Sequence, residues 1–137
     1  MGIRDILLYL WQLPQNLLGL VLTRIMGPGP VREYRNARVL LSEKMSGGIS
    51  LGRYIIISSG FDSPDTARHE WGHCRQSLML GPCYLLVIGL PSLLWAAWWK
   101  PGKQRGYFTF YTERWADRLA GIKRRPFSAG RKTRRQR

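Results

Sequence analysis

Histidines, cysteines and acids are all scarce in this chain, and each shortage narrows what it can do. Cys74 and Cys83 are the only cysteines. That excludes a disulfide framework and a CxxC metal ribbon, leaving free thiols in a reducing compartment as the reading. Eight acids stand against 22 lysines and arginines, for a formal charge of +14. An anionic partner is therefore expected, either the head groups of a membrane surface or, without specificity, nucleic acid. With two histidines in all, any metal site built on a pair of imidazoles has to use both. A chain of 137 residues has room for one modest domain with its own core.

The N-terminus lacks a small-residue cleavage site, and Asp5 weakens the basic stretch a signal peptide needs, so residues 1–26 are expected to remain in the mature protein. The segment MGIRDI also lacks the Ser or Thr of a myristoylation signal. Residues 6–22 are largely apolar but are interrupted by Gln12, Pro14, Gln15 and Asn16. That pattern suits two short helical pieces lying in a membrane interface better than a clean span of about 20 apolar residues.

After the linker Gly27-Pro28-Gly29-Pro30 the composition becomes globular, and residues 31–122 read as one domain. Residues 37–42 and 53–58 are short, apolar and partly β-branched, with turn chemistry at Ser46-Gly47-Gly48 between them. They predict a small antiparallel sheet, with residues 49–51 as a further strand. A helix over 64–80 is signalled by Ser63 as N-cap, Pro64 at its first position, Asp65 in its first turn and Gly81-Pro82 as its stop. Residues 78–99 are uncharged and long enough for a transmembrane helix, but Gly81, Pro82, Gly89 and Pro91 argue for a broken path. A polar loop leads to a second amphipathic helix, YFTFYTERWADRLAG, ended by Gly121. Residues 123–137, KRRPFSAGRKTRRQR, carry eight basic side chains and no acid, as a disordered tail does.

His69-Glu70-Trp71-Gly72-His73 matches HExxH. Residues four apart project from one helix face, so the two imidazoles can share a zinc ion with Glu70 beside its water. Shuffling this composition would produce the pattern about once in two thousand tries, so chance explains it poorly. Catalytic zinc takes three protein ligands, and Glu113, forty residues beyond His73 on the second helix, is the strongest candidate for the third. Asp117, four positions on, shares its face and could accept the free ring N–H of a liganding histidine.

HEWGH followed by ERWAD resembles the gluzincin zinc metallopeptidases, whose pattern is HExxH and a downstream ExxxD. The resemblance implies a minimal α+β zincin-like domain in which His69, His73 and Glu113 hold zinc, Glu70 is the general base and Asp117 steadies a histidine. It also implies a small sheet packed on the HExxH helix, with an edge strand that aligns a peptide or protein substrate. Two features depart from the family pattern: Arg75 stands where an apolar residue is usual, and no third histidine exists to steady an oxyanion. Of Tyr54, Tyr107 and Tyr111, helical spacing puts neither Tyr107 nor Tyr111 on the Glu113 face. The phrases LWQLPQNLLG, SGGISLG and FYTERWAD are also similar to a group of small uncharacterised bacterial proteins, a likeness that brings no activity with it.

The metal site constrains the membrane reading. Had residues 78–99 crossed a bilayer once, His73 and Glu113 would lie about 30 Å apart, yet ligands of one ion must lie about 2 Å from it. The run must therefore return to its starting side, as a hairpin turning near Gly89 to Pro91 or as helices packed in the protein or interface. Trp95, Trp98 and Trp99 beside Lys100 would suit the head-group level, and the positive-inside tendency puts the domain on the cytoplasmic face of a bacterial inner membrane. The alternative is a non-enzymatic zinc-containing protein whose basic tail binds anionic lipid or nucleic acid.

Overall fold

The computed structural model describes residues 1–98 and 106–124. The expected α+β organisation holds, with helices arranged around one small sheet. Two helices open the chain, α1 (Ile3–Trp11) and α2 (Leu13–Met26), followed by strands β1 (Val31–Tyr34), β2 (Ala37–Ser42), β3 (Gly48–Leu51) and β4 (Tyr54–Ser58). Helices α3 (Pro64–Leu80), α4 (Leu90–Trp98) and α5 (Tyr111–Ala120) complete it. The basic tail over 125–137 and the Trp99 and Lys100 anchor lie outside the described residues.

The sheet is mixed, which corrects the antiparallel expectation. Its strand order is β1-β2-β4-β3. The β1–β2 and β3–β4 pairs are antiparallel, whereas β2 and β4 run parallel with Arg38 opposite Tyr54. Two apolar triplets account for this: Val39-Leu40-Leu41 and Ile55-Ile56-Ile57 lack the polar alternation of a one-faced sheet, and strands covered on both faces are where parallel pairing is found. Residues 43–53, β3 included, form the crossover. Strand β1 escaped the sequence reading because only one residue of VREY is even half-buried.

One face of the sheet meets α3: Ala37, Val39, Ile55 and Ile57 form a core cluster with Ala67 and Cys74. The other face, carrying Leu40 and Ile56, turns toward α2. Helix α2 approaches so closely that a Cβ on Gly19 would stand 2.8 Å from the Leu51 carbonyl oxygen. Ile55, Ile56 and Ile57 are at most 1% exposed, and each contributes about 1.5–3 kcal/mol by leaving water.

Three of the four residues that interrupt the N-terminal segment turn into the protein. Gln12, Gln15 and Asn16 are buried. Ser77 Oγ donates to Gln12 Oε1 at 2.7 Å, Gln15 Nε2 donates to Ser77 Oγ at 2.9 Å and to the Gly81 carbonyl at 2.8 Å, and the Arg53 amide donates to Asn16 Oδ1 at 2.9 Å. The bend of 86° between α1 and α2 therefore docks this pair onto α3 and the β3–β4 turn. Among the described residues no single helix is long and apolar enough to cross a membrane; α1 and α2 meet that test only as the bent pair.

The chain breaks at Gly81–Cys83, a 3₁₀ turn, and not near Gly89 to Pro91. Gly81 adopts a left-handed φ of +53°, and a Cβ there would lie 2.3 Å from the Trp11 ring, so neither the conformation nor the space admits another residue. Gly89 and Pro91 instead lie in a continuous helical path, because a widened π turn, Leu85–Gly89, feeds into α4. Such a turn makes room for the proline ring. Pro91 has no N–H for the Val87 carbonyl, which accepts from Tyr111 Oη of α5 at 2.7 Å instead.

Candidate metal centre

Helix α3 begins as the sequence dictates. Ser63 Oγ accepts from the Thr66 amide at 3.1 Å, Pro64 occupies the first turn, and Asp65 lies near the positive end of the helix dipole. The helix then carries His69, Glu70 and His73 inward, all 6% exposed. Arg75 points outward, its guanidinium 5.5 Å from the Trp71 ring centroid. Its position is on the solvent side of α3 in this fold, which explains why no apolar residue is needed there.

Gly72 is what lets α5 reach these histidines. A Cβ at this position would stand 2.2 Å from the Ala116 carbonyl oxygen, so the two backbones touch with no side chain between them. Glu113 and Asp117, one turn apart on α5, thereby face α3 and are buried. The loop before α5 is held by Trp95, which stacks on Phe110 with centroids 4.6 Å apart and donates from Nε1 to the Tyr107 carbonyl at 3.1 Å. Trp95 thus packs against the protein, while Trp98 is exposed.

Glu113 Oε2 lies 2.9 Å from His69 Nε2 and 3.2 Å from His73 Nε2. The ligand atoms of His69, His73 and Glu113 all fall within 4.8 Å of one another. Bonds of about 2.0–2.1 Å at tetrahedral angles place ligand atoms about 3.3 Å apart, close to the two spacings from Glu113. The outer ring nitrogens are held as well: His69 Nδ1 is 2.7 Å from Asp117 Oδ1, and His73 Nδ1 is 2.7 Å from Gln76 Oε1.

The hydrogen-bond chemistry decides what this cluster wants. Gln76 Nε2 donates to the Thr112 carbonyl at 2.8 Å, so its Oε1 is left to accept and His73 Nδ1 must be the donor. Asp117, an acceptor when ionised, fixes the proton of His69 on Nδ1 in the same way. Neutral imidazoles then present two Nε2 lone pairs to a carboxylate oxygen. Three acceptors in a buried space need a positive charge among them, as added protons or as a metal ion.

The titration behaviour agrees. Burial alone would lower the His69 pKa, but its hydrogen bonds to Asp117 and Glu113 and the charges of Glu70 and Glu113 outweigh this and raise it to about 9. Burial alone would raise the Glu113 carboxyl, yet the hydrogen bonds and charges of His69 and His73 hold it far below the usual carboxylate range. Asp117 is likewise held low, against its burial, by His69 and by Arg124, whose Nε donates to Oδ2 at 2.5 Å. The Arg124 guanidinium lies over the Phe108 ring, 3.2 Å from its centroid, and that ring meets His69 edge-on at 5.2 Å.

Glu70 stands apart from the three acceptors. Ser50 Oγ donates to Glu70 Oε2 at 2.6 Å, and Gly48 leaves the room that its carboxylate occupies, since a Cβ there would come within 2.4 Å of Oε1. Both partners sit on β3, the edge strand. Of the three tyrosines singled out, Tyr54 Oη lies 3.5 Å from Tyr9 Oη and Tyr111 is spent on Val87. Tyr107 precedes α5 in a 3₁₀ turn, Tyr107–Thr109, so helical spacing does not govern it. Burial, and then the charges of Glu113 and Glu70, push its hydroxyl pKa up. The sequence reading missed Gln76, Ser50, Thr112 and Arg124; only Gln76 carried a signal, three positions after His73 on the same helix face.

Fold and cluster together define the class: an α+β chain with a buried His–His–Glu group that could hold a metal ion. The particular relatives are not supplied by likeness, since no known protein family, no curated protein and no solved structure matches the chain.

Proposed function

We propose that this protein is a zinc-dependent peptidase working at a membrane surface. One observation carries the reading: three acceptor atoms converge on two helices at ligand spacing, with a fourth acid, Glu70, kept out of the cluster and held by Ser50. His69, His73 and Glu113 would hold the ion, with Asp117 and Gln76 fixing the ring orientations. Two imidazoles and one carboxylate are the donor set of catalytic zinc, which supplies Lewis acidity and brings the pKa of water from about 15.7 toward about 7. Glu70 would accept the proton of the attacking water and pass it to the leaving amine of a peptide or protein substrate. The buried surroundings exclude bulk water and strengthen each of these interactions.

The membrane part rests on exposed apolar side chains, among them Leu7, Leu10, Leu17 and Val21 on α1 and α2 and Leu86, Leu90 and Leu94 around α4, together with the charge of +14. The cytoplasmic face of a bacterial inner membrane suits that charge.

A Glu70→Gln variant tests the catalytic role. It should keep one zinc per chain and lose peptide hydrolysis by about 10²–10⁴-fold. Equal hydrolysis by that variant would refute Glu70 as the base, and a protein purified without chelators that holds no zinc would end the whole reading. A second reading, a structural zinc site in a protein that binds anionic lipid or nucleic acid through its tail, is favoured by the near-complete burial of the cluster, with Glu113 2% exposed. Full zinc occupancy without hydrolysis of any peptide in a mixed library would select it.

A further inference from the structure

The sheet has a second site of interest on the face away from the histidines. There α2, the 27–29 linker and strands β1, β2 and β4 enclose a cleft of about 400 Å³, within the range of small-ligand sites. Leu20, Val31 and Leu40 make its walls apolar, and Arg24 and Arg38 also line it, with no acid among the lining residues. Among the described residues neither arginine forms an ion pair. Glu33 stands opposite Arg38 across the β1–β2 pair but does not line the cleft. Lys44, whose Nζ donates to the Ile25 and Gly27 carbonyls at 3.3 Å, adds positive charge at the end of α2.

Beside this cleft α2 presents Leu17, Val21 and Ile25, successive i, i+4 positions that are 50%, 56% and 60% exposed. Two open guanidinium forks suit phosphate oxygens, which they can bind bidentately. A free phosphate would use the arginines alone and leave the apolar row without purpose. A phospholipid uses both, its phosphate on the arginines and its acyl chains along the row.

We infer that this cleft takes the head group of an anionic phospholipid, so that the protein grips the membrane by the sheet face opposite the histidine cluster. The inference rests on the membrane-surface part of the reading above and is independent of the peptidase part.

The test uses the full chain and vesicles of phosphatidylcholine with and without phosphatidylglycerol. An Arg24→Gln/Arg38→Gln variant should bind the phosphatidylglycerol vesicles about 30-fold more weakly, from about fivefold per lost cation. A charge-matched Arg114→Gln/Arg118→Gln variant, altered on exposed positions of α5, should change by less than about threefold. Equal losses in the two variants would reduce the effect to overall charge and overturn the site. In calorimetry, monomeric short-chain phosphatidylglycerol should bind at one site that the cleft variant lacks. Inorganic phosphate bound as tightly would overturn the lipid assignment. Zinc content and thermal midpoint of the cleft variant should match the parent, which separates failure of this site from failure of the metal reading. Should the Gln pair unfold the protein, Arg24→Lys/Arg38→Lys keeps the charge and removes the forks, and undiminished lipid binding by that folded pair would also refute the site.

Discussion

Replacing Gly72 with alanine should disable the metal site from outside it. The added Cβ would stand 2.2 Å from the Ala116 carbonyl oxygen and 2.8 Å from its carbon, both backbone atoms that no rotamer change can move. Ordinary contact begins at 3.4 Å, so α3 and α5 must separate by roughly 1.2 Å, carrying Glu113 and Asp117 away from His69 and His73. Metal–ligand bonds tolerate about ±0.2 Å. Losing the Glu113 ligand and the Asp117 support together should weaken zinc binding by at least about 100-fold. Overpacking costs about 1–3 kcal/mol, offset by about 1 kcal/mol of helix propensity gained over glycine, so the metal-free fold should lose no more than about 2 kcal/mol and stay folded.

The assay is zinc competition against a chromophoric chelator, with thermal melts of the metal-free protein alongside. Gly89→Ala is the control, because its Cβ would meet nothing nearer than 3.5 Å and should leave both measurements unchanged or raise the melting point slightly. A Gly72→Ala protein that binds zinc with parental affinity would refute the claim that helix contact at this glycine sets the ligand geometry.

Two further outcomes follow from the hydrogen bonds. Gln76→Leu removes the acceptor for His73 Nδ1 and the side-chain bond that ties α3 to the Thr112 carbonyl of α5, so zinc affinity should drop about 10–100-fold in the same competition assay with His69, His73 and Glu113 intact. His69 has its pKa raised from 6.5 to about 9 in the metal-free fold. Its contribution to stability is therefore complete below about 6.5 and lost as pH rises through about 9, so the melting point of the metal-free protein should fall across that window. Zinc must displace the same proton, so calorimetry between those pH values, in buffers of different ionisation enthalpy, should register proton release; none released would remove His69 from the ligand set.

The parts legible in the sequence were those fixed by local rules. HExxH and ExxxD put their side chains on one face by helical period, and Ser63, Pro64 and Gly81 mark the ends of α3 because capping is a matter of adjacent residues. Strand direction was not legible by the same means, because the parallel β2–β4 pair depends on which strands meet across a crossover; the two all-apolar triplets were its only trace. Gln12, Gln15 and Asn16 were legible only in part for a related reason. They mark the division into two short helices, but their partners, Ser77, Gly81 and Arg53, are supplied from far along the chain. The proline and glycine pair at Gly89 and Pro91 signalled a break that a π turn and the Tyr111 hydroxyl absorb.

The cluster between α3 and α5 is also a poor way to stabilise a small core. His69, His73, Glu113 and Asp117 are each at most 6% exposed, and burying ionisable groups costs several kcal/mol apiece unless their mutual attractions and hydrogen bonds offset it. Apolar residues of similar volume would hold the two helices at least as well. What apolar residues could not supply is the arrangement itself: proton positions dictated from outside by Gln76 and Asp117, and Nε2 lone pairs turned onto one oxygen of Glu113. The bonds from Gln76 and Asp117 orient the ring acceptors inward, and a layout of that kind gains stability when positive charge, as protons or as a cation, occupies its centre. Metal loading should thus raise the melting point far more than any single hydrogen bond in the cluster can.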